Sequence, residues 1–358
     1  MIRSDQPHKL ASQPHERQRH ELADQLSRLL ELLGPGSQPN LNALTLKLRD
    51  LDNLALTVKF FGYDLARRLA GELPEPQRLT PHAVNLRSKA STQEDLESDW
   101  AAYWCTELKV PRIFHRKIWE FAFVLQALWE RGMIGHDNRG LGFGCGHEPI
   151  PSYLASKGVR LTVTDMAPQE AQSKGWINTG QHATTIDTLF MPHLIDRVMF
   201  NRNVALRYVD MNAIPVDLTD YDFCWSICAL EHLGSIAAGL AFIRNSLAAL
   251  RPGGVAIHTT EFNFINDDQT IDNWPTVLFQ RRHFTQLAEE LRKEGHDVAE
   301  LDFRIGDKPL DKFIDIPPFV HDWPQSIAAE WGGSAAHLKI SIDGFASTCF
   351  GLIISKGS

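Results

Sequence analysis

The sequence predicts an α/β chain: a mostly parallel sheet with helices on both faces, a C-terminal antiparallel hairpin and an α-helical N-terminal region. Three observations carry this expectation. Apolar strand patterns at 140–143, 160–164, 205–209, 223–227 and 255–260 alternate with helical patterns such as 151–157 and 236–250. Alternation of this kind reads as a parallel sheet covered by its crossover helices. Asp343-Gly344 separates two further strand patterns, 338–342 and 347–354, and Asp-Gly in that place is a hairpin signal. Before the alternating region, apolar residues recur every three or four positions, the helical period.

Along the chain, residues 1–20 are polar and lack the apolar core of a secretory signal; they read as frayed. Leu22, Leu26, Leu29, Leu30 and Leu33 describe a helix that stops at Gly34-Pro35-Gly36. Leu44, Leu48, Leu51, Leu54, Val58, Phe61, Leu65 and Leu69 describe a longer one. A helix of this kind serves as a packed arm, or as a seam for a homodimer or a partner protein. Pro74, Pro76 and Pro81 mark a linker. Residues 1–93 therefore read as a helical N-terminal arm and linker, and 94–358 as the main domain. That domain opens with an aromatic helical cap over 94–135, holding Trp100, Tyr103, Trp104, Phe114, Trp119, Phe121, Phe123 and Trp129. His115-Arg116-Lys117 is a polar cluster inside it, which makes His115 a candidate substrate contact. The stretch 166–202 is longer than a crossover needs, and long insertions are often functional. It offers Trp176 and His182 as further substrate contacts. After an acidic loop at 266–268, a short strand (276–279) and a helix (282–294) precede the hairpin.

Composition narrows the function classes. The 358 residues are 43% hydrophobic, enough for a sizeable core, and the net charge of −8 disfavours a nucleic-acid partner. The five cysteines form no CxxC pair, so neither a disulfide framework nor a zinc site is indicated. Reduced thiols and the lack of an apolar run long enough to span a bilayer point to a cytoplasmic protein. His182, His193, His232, His258 and Glu261 show no metal-ligand spacing, and no metal is expected.

The most informative run is Gly140-Leu141-Gly142-Phe143-Gly144-Cys145-Gly146-His147-Glu148-Pro149, at the junction of a strand and a helix. A glycine-rich turn there lets a ligand approach the backbone. Asp165 ends the next strand, where a carboxylate can accept from ribose hydroxyls. Together they indicate a cofactor containing a nucleoside. A nicotinamide-binding turn would carry a third glycine for close helix packing; Pro149 stands in its place.

Five segments in order decide between cofactors: Gly144-Cys145-Gly146, Asp165, Asp210-Met211, the run 221–233, and Leu250-Arg251-Pro252-Gly253-Gly254. Over residues 139–260 the chain resembles the class I S-adenosylmethionine-dependent methyltransferases. The resemblance implies a Rossmann-like seven-stranded, mostly parallel sheet and S-adenosylmethionine as cofactor. It places Gly142, Gly144, Gly146, Glu148, Asp165, Met166, Asp210, Met211 and Ser226 around that cofactor. The chain departs from the family twice. Gly142 stands where an acid is common, and Glu148 stands where a third glycine is common. Glu148 is therefore expected to supply the missing charge to the sulfonium or amine end. For a hydroxyl nucleophile a base must take the proton. His232, after the fourth strand, and Glu261, at the end of the fifth, are the candidates, while His258 reads as a core residue. The leading expectation is O-methylation of a small molecule or glycan. The alternative is a non-catalytic, cofactor-binding assembly protein that works through its N-terminal helices.

Overall fold

The computed structural model describes residues 23–28, 30, 33, 38, 40–78, 80–169, 182–319 and 336–358. The polar residues 1–20 and Trp176 lie outside them. The chain forms two compact units, Met1–Phe60 and Phe61–Ser358. Helix α1, Leu41–Gly71, begins in the first and ends in the second. Among its apolar residues Leu41, Leu48, Leu51 and Leu54 are exposed. Among the described residues no helix is long and apolar enough to cross a membrane.

The second unit opens with a short strand, β1 (Ser88–Ala90), in the stretch that reads as linker. Three helices follow: α2 (Gln93–Glu97), α3 (Asp99–Leu108) and α4 (Arg116–Glu130). Each starts at a side chain that accepts from a first-turn N–H: Thr92, Ser98 and His115. The alternating region then delivers β2 (Arg139–Phe143), α5 (Ile150–Ser156), β3 (Arg160–Asp165), α6 (Arg197–Asn203), β4 (Val204–Tyr208), β5 (Tyr221–Ile227), α7 (Ile236–Ala248) and β6 (Leu250–Asn263). Helix α8 (Arg281–Lys293) and the strands β7 (Asp297–Val298), β8 (Leu301–Asp302), β9 (Ile314–Asp315), β10 (Lys339–Ile342) and β11 (Phe345–Ser355) complete it.

The sheet runs β4-β3-β2-β5-β6-β11-β1-β8. Its first five strands are parallel, and β11 lies antiparallel against β6 from Ser347↔Asn263 to Ser355↔Val255. The expected hairpin is β10–β11, with Asp343 and Gly344 both at positive φ (47° and 85°), as a two-residue type I′ turn requires. Four strands of two or three residues, β1, β7, β8 and β9, bring the sheet to eleven strands among the described residues rather than seven; elements that short carry no readable period.

Strand parity divides the core. Phe223 and Trp225 of β5 join Trp104, Trp119 and Phe123 of α3 and α4 on one face. Leu141, Phe143 and Cys224 join Phe242 of α7 and Phe284 of α8 on the other. The aromatic segment is thus a layer on the sheet, with α4 packed across β5, β6 and β11. Trp119 donates to Asp95 (2.8 Å) and Trp104 to Gln126 (2.7 Å), so both buried indoles are satisfied.

The seat of α4 depends on Gly351 of β11, where an added Cβ would stand 2.3 Å from the Phe123 ring. Gly351→Ala is expected to destabilise the protein by about 1–3 kcal/mol, the range for overpacking a filled core. Urea unfolding checks this, and a wild-type midpoint would contradict the packing described.

Candidate functional site

From β2 the chain winds first toward β3 and β4, then returns to the other side through β5 and β6. Ligands of open α/β sheets bind beyond the strand ends at such a reversal. A cavity of about 340 Å³ lies there, lined by the loop Gly144–Glu148, by Asp165 and Met166 after β3, by Asp210 and Met211 after β4, and by Cys228, His232 and Leu233 after β5. From α4, Lys117 and Phe121 reach its wall.

The glycine loop leaves β2 through Gly144, at φ 61°, where a Cβ would come 2.8 Å from the Ala229 Cβ. The loop is tied to β3 twice. Cys145 N–H donates to Thr164 O (3.1 Å), and the Thr164 hydroxyl donates to Gly142 O (2.9 Å). Gly142 does not line the cavity; a Cβ there would lie 2.5 Å from the Trp225 ring, so its smallness admits the indole. Trp225 Nε1 donates to Glu148 Oε1 at 2.9 Å. Glu148 is buried, and its second oxygen, Oε2, has no hydrogen-bond partner. Burial outweighs the hydrogen bonds from Trp225 and Cys145 and pushes the carboxyl from its ordinary 4.5 up to about 8.

Asp165 ties the next loop together. It accepts from Gly146 N–H (3.1 Å), Ala183 N–H (2.9 Å) and Met166 N–H (2.8 Å). His182 lies beside it and also lines the cavity. Met211 packs against the glycine loop, and Asp210 is exposed at the rim.

The β5 exit turns sharply at Cys228, φ 45°, into the turn Leu230–His232. His232 Nδ1 lies 3.0 Å from Pro275 O. A carbonyl only accepts, so the ring proton sits on Nδ1 and the lone pair on Nε2. Glu231 is buried, accepts from Thr260 Oγ1 (3.0 Å) and approaches His232 Nε2 to 4.0 Å.

Besides Gly142, three expected contacts fall elsewhere. Glu261 is buried in an ion pair with Arg116 and accepts from Ser347 Oγ (2.7 Å). It shares a strand face with Thr259, which donates to Glu120 (2.5 Å), and that face looks onto α4 rather than the cavity. A carboxylate fixed in this way is not placed to act as the base. Ser226 points into the core, 2.8 Å from His258 Nδ1; His258 also meets Ser246 (3.1 Å), and burial pushes its pKa down to about 3. His115 is occupied as the cap of α4 and stacks on His337. Trp176 lies outside the described residues.

Trp225 and Glu120 were missed from sequence, and in the His115-Arg116-Lys117 cluster the contact was assigned to His115, whereas Lys117 lines the cavity. Lys117 stands 3.4 Å from Glu120, whose carboxyl is held below its usual range because Lys117 and Arg116 outweigh its burial. The signal for Lys117 was its position: cations in the first turn of a helix oppose the helix dipole, so two of them there need a local reason.

No family model and no curated protein sequence matches the chain. Among solved structures it is similar to the cyclase SpnF (16% identity over 67% of this chain and 82% of that one, TM-score 0.41). It is also similar to the methyltransferase domain of bacterial CtHen1 (16%, 66% and 95%, TM-score 0.38). A third similarity is to an S-adenosylmethionine-dependent methyltransferase from Mesorhizobium loti (11%, 64% and 98%, TM-score 0.35). Identities this low carry no statement about activity.

The raised pKa of Glu148 has a stability consequence. A raised folded-state value favours the folded state fully below about pH 4.5, and that contribution is lost as the pH climbs to about 8. Glu148→Gln is therefore expected to melt close to wild type near pH 4.5 and progressively above it toward pH 8. Melting curves across that range check the sign, and a pH-independent difference would contradict it.

Proposed function

We propose that the cavity binds S-adenosylmethionine and that the protein transfers its methyl group to a hydroxyl of a small molecule or glycan. The observation that carries this reading is Glu148: a buried carboxylate, one oxygen unpartnered, directly after the glycine loop. A dinucleotide would bring its pyrophosphate to that point and would need N–H donors. Pro149 and Pro151 remove two such donors from the start of α5, and a phosphate there would push the Glu148 carboxyl further toward its protonated form. A cation suits the place. Lys117, which lines the cavity, belongs to an ion network with Arg116, Glu120, Glu231 and Glu261, a set with one more carboxylate than cation before Glu148 is counted.

When bound, S-adenosylmethionine supplies a methyl group activated on a sulfonium. The chain's own residues do the rest. Glu148 holds the cationic methionine end, with Trp225 fixing the carboxylate in place. Asp165 receives the ribose, and Met211 offers an apolar flank to the adenine, with Asp210 at its edge. Met166 closes the cavity beside Asp165. Phe121, Ile227 and Leu233 exclude water from the methyl path. His232 Nε2 takes the proton of the acceptor hydroxyl, and the Glu231 carboxylate steadies the imidazolium that results.

A second reading, an assembly protein that binds the cofactor without turnover, draws on the exposed leucines of α1. The two readings part on turnover. Methyl-labelled S-adenosylmethionine incubated with hydroxylated glycans and small hydroxyl compounds is expected to pass label to one class of acceptor. Tight binding with no transfer across such a panel favours assembly. In the catalytic reading, His232→Ala lowers kcat by about 100-fold or more and leaves the cofactor Kd near wild type. Parallel loss of both would contradict the role of His232 as base.

A further inference from the structure

Cys228 and Cys349 stand 121 residues apart in the chain, yet their sulfurs lie 3.7 Å apart. Cys228 follows β5 and lines the cavity, while Cys349 is buried in β11. Glu120 of α4 joins them: one donor atom from each of the three side chains lies within 4.8 Å of the other two. Glu120 is fully buried. Its Oε2 accepts from Thr259 Oγ1, and its Oε1 has no hydrogen-bond partner among the described residues, with Lys117 3.4 Å away. Buried acceptors are seldom left in that state. Glu231 and Glu261 gather around Cys228 within the same distance.

A disulfide would bring the sulfurs to about 2.0 Å and the Cα atoms within about 7 Å. Here β6 lies between the two cysteines: Cys228 N–H donates to Thr259 O, and Cys349 pairs with Glu261. Strands on either side of a third stand about 9.5 Å apart, so a direct bond would require the backbone to move. A tetrahedral zinc ion with Zn–S bonds of about 2.3 Å holds its two sulfurs about 3.8 Å apart. That is close to the separation found.

Charge points the same way. Burial raises the pKa of both thiols, so each keeps its proton in the unliganded protein. Glu120, Glu231 and Glu261 are balanced by Arg116 and Lys117 to within one negative charge. A divalent ion that displaces the two thiol protons brings two positive charges and leaves two thiolates, so the balance does not change.

We infer that Cys228, Cys349 and Glu120 form a binding site for a divalent ion of the zinc class, with its fourth position beside Glu231 and Glu261. Two sulfur ligands select zinc over magnesium or calcium, which take oxygen. The ion enters through the cavity, where Cys228 is reached. The site does not depend on which cofactor the cavity takes. Spacing along the chain gives no sign of it, because the ligands come from α4, the end of β5 and β11.

The test uses the full chain, stripped of metal with a chelator and titrated with Zn²⁺ alone and with Co²⁺ as a spectroscopic substitute. One bound ion is expected, with the charge-transfer absorption of thiolate ligation for cobalt. Cys228→Ser and Cys349→Ser are each expected to diminish that absorption and to weaken binding about 100-fold or more, beyond the usual loss on removing a residue that only orients a ligand. Glu120→Gln is expected to weaken binding and keep the absorption. Cys224→Ser, whose thiol packs in the other layer of the core, is expected to bind as wild type does. Should the serine variants unfold, the wild type decides alone: Zn²⁺ is expected to slow alkylation of Cys228 about tenfold or more, read by mass spectrometry. No bound ion, cobalt bound without the thiolate absorption, wild-type affinity in Cys228→Ser, or unchanged alkylation would overturn the site.

Discussion

A carboxylate taken out of water is the constraint around which this site is organised. Glu148 is buried directly after the glycine loop, and one of its oxygens has no hydrogen-bond partner. Such a group is costly until a cation or a proton joins it. In the unliganded protein the proton does so, which is why the carboxyl is pushed up to about 8. In the proposed reading a ligand cation takes the proton's place, which would favour a sulfonium or an ammonium over a phosphate.

The scaffold exists to hold that group still. Adjacent parallel strands β2 and β5 bring Gly142 beside Trp225, and the missing Cβ lets the indole lie close enough to reach Glu148. The other face of the problem is α4. Its first turn pairs Arg116 with Glu261 of β6 and Lys117 with Glu120 of the same helix, so that these charges are paired rather than merely buried. The aromatic side chains that look like a lid in sequence anchor this helix on the sheet, and Phe121 among them also lines the cavity. Their burial fixes the helix, and the helix fixes the ions.

What was legible in the sequence was local. Strand and helix alternation, the Asp-Gly hairpin, the glycine loop and the acids at strand ends each show within a few residues. What was not legible joins distant positions. Trp225 and Glu148 are 77 residues apart, and Thr259 and Glu120 are 139 apart. Alternation along the strand puts Thr259 and Glu261 on one face. It could not say which face meets the cavity, because residues 258–261 are polar on both; hence Glu261 looked like a base and is an ion-pair partner. Ser226 misled in the same way. Strand β1 has three residues, too few for any period to appear.

The central claim, that the cavity takes a cationic nucleoside, is tested most directly by calorimetric titration with S-adenosylmethionine at neutral pH in buffers of different ionisation enthalpy, with NAD titrated in parallel. The account predicts binding of S-adenosylmethionine alone, with release of up to about one proton as Glu148 ionises beside the cation, and loss of that release in Glu148→Gln. Binding of NAD, or binding of S-adenosylmethionine with no dependence on buffer, would contradict it.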